Sequence, residues 1–144
     1  MPAWAEKLRR WAPGIWLGVV LTVGLLAAPA AFEALAREQA GAFVRALFGR
    51  EAATSLMLGV LLLMLERRVA ARSGGSQFSA NMMLVAGAML CTVMGYYGLQ
   101  PAMEAARLGQ GGALSFGQLH ALSLTLYGIK ALLVAALSLR ASSG

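Results

Sequence analysis

The sequence predicts an all-α membrane protein: an antiparallel four-helix transmembrane bundle, with residues 1–144 as one transmembrane domain. Three observations carry that prediction. Hydrophobic residues make up 59% of the chain and charged residues 12%, about half the roughly 25% charged share of soluble domains. The apolar residues fall into four long stretches, most of them near the length of about 20 residues that a helix needs to cross a bilayer. The basic residues gather at the ends of those stretches, where they act as topology signals and meet anionic headgroups.

Spans are expected at about 13–36, 46–68, 79–99 and 115–139. Ahead of the first, Lys7, Arg9 and Arg10 stand beside Trp4 and Trp11, the basic and aromatic edge of a cytoplasmic interface. Ala28-Pro29-Ala30 has the small residues of a signal-peptide cleavage site. The apolar run before it is long for a signal peptide, so the segment is read as a transmembrane helix. Gly14 and Gly18 recur four apart, a small-residue face suited to close helix packing. Pro29 should end or bend the helix.

From Phe32 to Arg50 the chain is half apolar and half charged. It reads either as an interfacial amphipathic helix or as the tail of one span and the head of the next, turning near Ala40-Gly41. The second reading fits better, because the uncharged run 52–65 is too short to span alone. A polar linker, Ser73-Gly74-Gly75-Ser76, precedes the third span. There Gly87, Cys91 and Gly95 line one packing face, and Pro101 closes the helix. Glu104 and Arg107 lie in a short outer loop, and the fourth span follows.

Counting lysine and arginine sets the orientation. With the N-terminus inside, one side holds Lys7, Arg9, Arg10, Arg67, Arg68, Arg72 and Arg140, and the other Arg37, Arg45, Arg50 and Arg107. Both termini are therefore expected in the cytoplasm. The same scatter argues against nucleic-acid binding, which needs a clustered basic footprint. One cysteine excludes an intrachain disulfide and a multi-cysteine zinc site. The absence of aspartate removes many hydrolytic and magnesium-dependent schemes.

The fourth span carries the polar residues of most interest. His120, Ser123, Tyr127 and Lys130 follow helical spacing and form one stripe in an apolar helix. Glu51 is expected near the depth of His120 and is its candidate partner, while Glu66 is the counter-charge proposed for Lys130. Such a stripe serves as a structural interhelical hydrogen bond, a proton or metal relay, or a haem axial ligand. The methionines add a weaker copper(I) reading through Met83, Cys91, Met94 and His120. The sequence requires no cofactor. Haem and copper are the two it could accommodate.

At Pro29, Phe32, Ala40-Gly41 and Phe48, and again at Phe116, His120 and Ser123, the chain resembles a known family. It is similar to the bacterial domain-of-unknown-function membrane proteins related to the eukaryotic transmembrane protein 205. Tyr127 stands where that family leads one to expect an asparagine. The resemblance implies a four-span bundle in a bacterial inner membrane with no assigned reaction. Its eukaryotic relatives are associated with platinum-drug handling, and a looser likeness in layout links it to copper-resistance proteins and haem-associated oxidases. The first functional expectation is a non-enzymatic accessory or structural subunit in contact with the lipid bilayer and with other membrane subunits or itself. The alternative is a small transporter, or a metal or haem handler, acting through the His120 stripe.

Overall fold

The computed structural model describes residues 1–75 and 78–144. Ser76 of the polar linker lies outside the described residues. Four helices account for the fold: α1 (Ala3–Ala34), α2 (Arg37–Ser73), α3 (Ala80–Arg107) and α4 (Phe116–Ser143), each long and apolar enough to cross a membrane. They run up and down in sequence, so both termini lie at one end, the near end. The link 35–36 and the loop 108–115 lie at the other, the far end.

Local chemistry sets the boundaries. Leu35 and Ala36 are extended, and α2 starts at once at Arg37, three residues before the expected Ala40-Gly41 turn. No separate interfacial helix forms. Gly74 ends α2 at φ 64°, the left-handed conformation that suits a glycine at a helix C-terminus. Ser79 caps α3 by accepting from the Met82 amide. Ser115 and Gln118 form a reciprocal capping box at the start of α4.

Two helices loosen into a π-helical turn, α1 at Thr22–Ala27 and α3 at Val93–Gly98. The cause is the proline one turn ahead. Proline lacks an N–H, and its ring crowds the carbonyl four residues back. For Pro29 that carbonyl belongs to Leu25, and for Pro101 to Tyr97; each lies inside the widened turn. Pro29 therefore distorts α1 without ending it, and Pro101 likewise does not close α3, which runs on so that Glu104 and Arg107 lie in its last turns and not in a loop.

Neighbouring helices pack as a closed ring, α1 on α2, α2 on α3, α3 on α4 and α4 on α1. Near-end core side chains Ala12, Trp16, Val20, Leu62, Val85, Ala88, Val134 and Leu137 fill the middle. Outside, Ile15, Leu25, Met57, Met83, Leu132 and Leu139 are exposed, a continuous apolar surface that lipid would cover. With four such helices the protein is an integral, multi-pass membrane protein.

Glycine sets two close approaches. A Cβ on Gly59 would stand 2.5 Å from Met89 Cγ, and one on Gly49 2.6 Å from the Tyr96 hydroxyl. Gly87 and Gly95 face Leu133 and Leu126 of α4 at 3.1 and 3.2 Å. A Cβ on Gly14 would meet only Ser138 Oγ, at 3.6 Å, and one on Gly18 nothing within 4 Å. Overpacking a tight core costs about 1–3 kcal/mol. Gly59→Val should therefore lower the thermal midpoint in detergent, whereas Gly18→Ala should leave it unchanged.

Candidate functional site

The far half of the bundle holds a cavity of about 190 Å³ between α2, α3 and α4, with Phe32 of α1 at its edge. His120, Ser123, Tyr127 and Lys130 all line it, together with Phe116 one turn before them. Phe32, Gly41 and Phe48 join the same wall; Pro29 does not. The cavity ends on an ion pair and is closed beyond it by the near-end core.

That pair joins Lys130 to Glu51 rather than His120 to Glu51. Lys130 Nζ donates to Glu51 Oε1 at 2.7 Å and Oε2 at 2.8 Å, with both residues almost fully buried. The reason is depth. Glu51 lies 14 residues after the start of α2 at Arg37, and Lys130 lies 14 after the start of α4 at Phe116. At 1.5 Å per residue both sit roughly 21 Å from the far ends. Counting the second span from about residue 46 had placed Glu51 too shallow. The pair crosses the diagonal from α2 to α4, two helices whose backbones do not come into direct contact.

The remaining polar atoms around the pair are satisfied. Ser55 donates to Glu51 Oε1 at 2.5 Å and accepts from the Trp16 indole at 2.9 Å. Lys130 Nζ lies 4.7 Å from the Tyr127 ring centroid, a favourable placement for a cation. Three of the four helices thus meet at this level. A lysine at the bilayer centre costs about 2.5–3.5 kcal/mol on insertion scales, and the carboxylate offsets that cost here without any need to snorkel.

Two stripe hydroxyls bind the distorted turns. Tyr127 donates to the Val20 carbonyl at 2.7 Å, just before the π-helical turn of α1. Ser123 donates to the Gly95 carbonyl at 3.2 Å, inside that of α3. Helix widening leaves carbonyls less well served by their own helix, and α4 supplies the donors. Tyr127 also packs edge-on against Phe48, at a ring separation of 5.1 Å.

His120 stands at the mouth. It is exposed and stacks on Phe116 at 5.9 Å. Ten residues, roughly 15 Å of helix, separate it from Lys130.

Glu66 has a different partner from the one expected. It sits 15 residues, roughly 22 Å, along α2 from Glu51, too far for Lys130. Arg9 Nε donates to it at 2.7 Å and Asn81 Nδ2 at 3.4 Å. Arg140 Nε in turn donates to Asn81 Oδ1 at 2.8 Å. Arg9, Glu66, Asn81 and Arg140 come from α1, α2, α3 and α4, so this clamp ties all four helices at the near end. The sequence offered a cue for Ser55, one turn from Glu51 on the same face. It offered none for Asn81.

The thioethers do not converge. Met83 and Met94 are exposed at 62% and 50%, while Cys91 lies on the cavity wall. Among the described residues no three His, Cys, Asp or Glu side chains stand together for a metal ion.

Neither the curated proteins nor the solved structures contain a match to the chain. One family does match, over residues 11–111, which takes in most of α1, all of α2 and α3 and part of the far loop and stops short of α4. That stretch is more than two thirds of the chain and supplies three of the four helices of the bundle, so the protein belongs to the family described as Domain of unknown function (DUF4149).

Proposed function

We propose that this is a non-enzymatic carrier of the bacterial inner membrane whose far-end vestibule takes up a small ligand, with both termini in the cytoplasm. One observation carries the reading. A stripe of polar side chains on α4 faces a cavity inside the membrane that ends on a buried ion pair. Polar groups at that depth are costly, and in membrane proteins they mark ligand or ion pathways. The near end holds seven lysines and arginines in its links and helix ends, against Arg37 and Arg107 at the far end, with Arg45 and Arg50 lying inside α2, and this excess supports cytoplasmic termini. Phe32, Gly41, Phe48 and Phe116, which carry the resemblance to the relatives of transmembrane protein 205, meet on the cavity wall. That convergence supports the wider relationship.

A second reading, an accessory subunit, is favoured by the polar groups themselves. Among the described residues every buried side-chain nitrogen and oxygen has a partner, as expected where such groups act as interhelical glue.

Thermal melts in phosphatidylcholine nanodiscs separate the two. Dodecyl probes of three charges, laurate, dodecanol and dodecyltrimethylammonium, are added to the wild type and to Cys91→Trp, which fills the cavity. A carrier gains stability with at least one probe, and Cys91→Trp loses that gain. If no probe shifts the wild type, the vestibule is not a ligand site and the subunit reading stands.

A further inference from the structure

The charges on the vestibule wall define what it would hold, granted that it is a ligand site as proposed above. Three fixed cations line it, Arg45, Arg107 and Lys130, against two carboxylates, Glu51 and Glu104. Two of the cations are spoken for. Lys130 is held by Glu51, and Arg107 donates to Glu104 at 2.6 Å. Arg45 makes no hydrogen bond or ion pair with the described residues.

Arg45 is also partly buried, eight residues or roughly 12 Å of helix below the start of α2. One turn deeper stands Phe48, and Phe32 and Phe116 share the same wall. A guanidinium in such a place is weakly screened and presents a planar fork of donors that matches a carboxylate or phosphate. The aromatic rings beside it suit an apolar body. The other ionisable side chains on the wall bring no negative charge toward it that is not already matched by a cation.

We propose that the vestibule binds an amphipathic monoanion, with its carboxylate or phosphate head on Arg45 and its apolar body against Phe32, Phe48 and Phe116. The ligand supplies the charge that balances the third cation. The Lys130–Glu51 pair remains intact as the floor.

Calorimetric titration of the wild type in phosphatidylcholine nanodiscs, corrected with empty nanodiscs, tests this with laurate and dodecyltrimethylammonium. Saturable binding of laurate with one site per chain is expected, and little binding of the cation. Arg45→Gln should weaken laurate by at least about tenfold, the loss of one charge-assisted hydrogen bond or more, and Arg45→Lys should recover part of that. The thermal midpoint of Arg45→Gln should stay at the wild-type value, because the side chain pairs with nothing among the described residues. Adding phosphatidylglycerol to the nanodiscs identifies the source of the anion. Competition with laurate points to a lipid headgroup, and its absence to a free carboxylate. Equal laurate binding by Arg45→Gln, or equally tight binding of the cation, overturns the monoanion proposal while leaving the vestibule a ligand site. If neither probe binds the wild type, the monoanion proposal fails, and the ligand-site reading fails with it when dodecanol also leaves the thermal midpoint unchanged.

Discussion

Lys130→Met is expected to destabilise the protein by about 3–5 kcal/mol, the usual consequence of leaving one member of a buried ion pair uncompensated. The substitution keeps the length and apolar stem of lysine and removes only the ammonium. Glu51 would then keep only Ser55 as a hydrogen-bond partner among the described residues, at a site that is almost fully buried. The loss should be recovered largely in Lys130→Met/Glu51→Gln, since removing both charges at similar volume is often neutral or stabilising. Unfolding in mixed micelles of mild detergent and dodecyl sulfate would read both effects. A neutral Lys130→Met would mean that the two residues do not pair.

The second large effect concerns the near-end clamp. Arg9→Met removes the guanidinium that donates to Glu66 at 2.7 Å and leaves a carboxylate that is 4% exposed. Asn81 at 3.4 Å is the only other donor among the described residues. A loss of about 3 kcal/mol is expected, at the lower end for a buried pair because the clamp lies close to the interface. Glu66→Gln in the same background should restore most of it. The clamp and the midplane pair share no partner and are separated by the apolar core. Their effects should therefore add, to within about 0.5 kcal/mol. Strong coupling between Arg9→Met and Lys130→Met in the same unfolding measurement would show that the two layers act as one unit.

Much of the architecture was legible because the bilayer constrains it so tightly. Apolar runs near 20 residues have one economical conformation in lipid, and charged ends mark where they stop. The stripe on α4 was legible for the same reason, since helical period alone puts His120, Ser123, Tyr127 and Lys130 on one side. Their partners were not. Pairing across helices depends on relative depth, and charged residues at 37–50 hid the true start of α2 by making its first turns read as an interfacial stretch with a turn near Ala40-Gly41. A shift of about nine residues at that boundary, roughly 13 Å, moved Glu51 from the level of His120 to that of Lys130.

The glycines show a second limit. Spacing of four singled out Gly14 and Gly18, yet the tightest contacts fall at Gly49 and Gly59, whose small partners at the same spacing, Ala53 and Ser55, make less conspicuous repeats than paired glycines. A repeat shows that a face is smooth and says nothing of what lies opposite. The π-helical turns were half visible: Pro29 signalled a bend and Pro101 an end to its helix, and only the fold shows Ser123 and Tyr127 donating to carbonyls at the turns that the prolines loosen.

The central claim is a vestibule open to the far end and shut from the near end by the apolar core and the Arg9–Glu66–Asn81–Arg140 clamp. Cys91, the single cysteine of the chain, stands on its wall, so no engineered reporter is needed. Sealed vesicles of known orientation, treated with a small charged methanethiosulfonate, test the claim directly. Modification of Cys91 from the side opposite the termini alone, slowed by filling the mouth with Ser123→Trp, is the result expected. Modification from the terminal side, or none from either side before detergent is added, would contradict it.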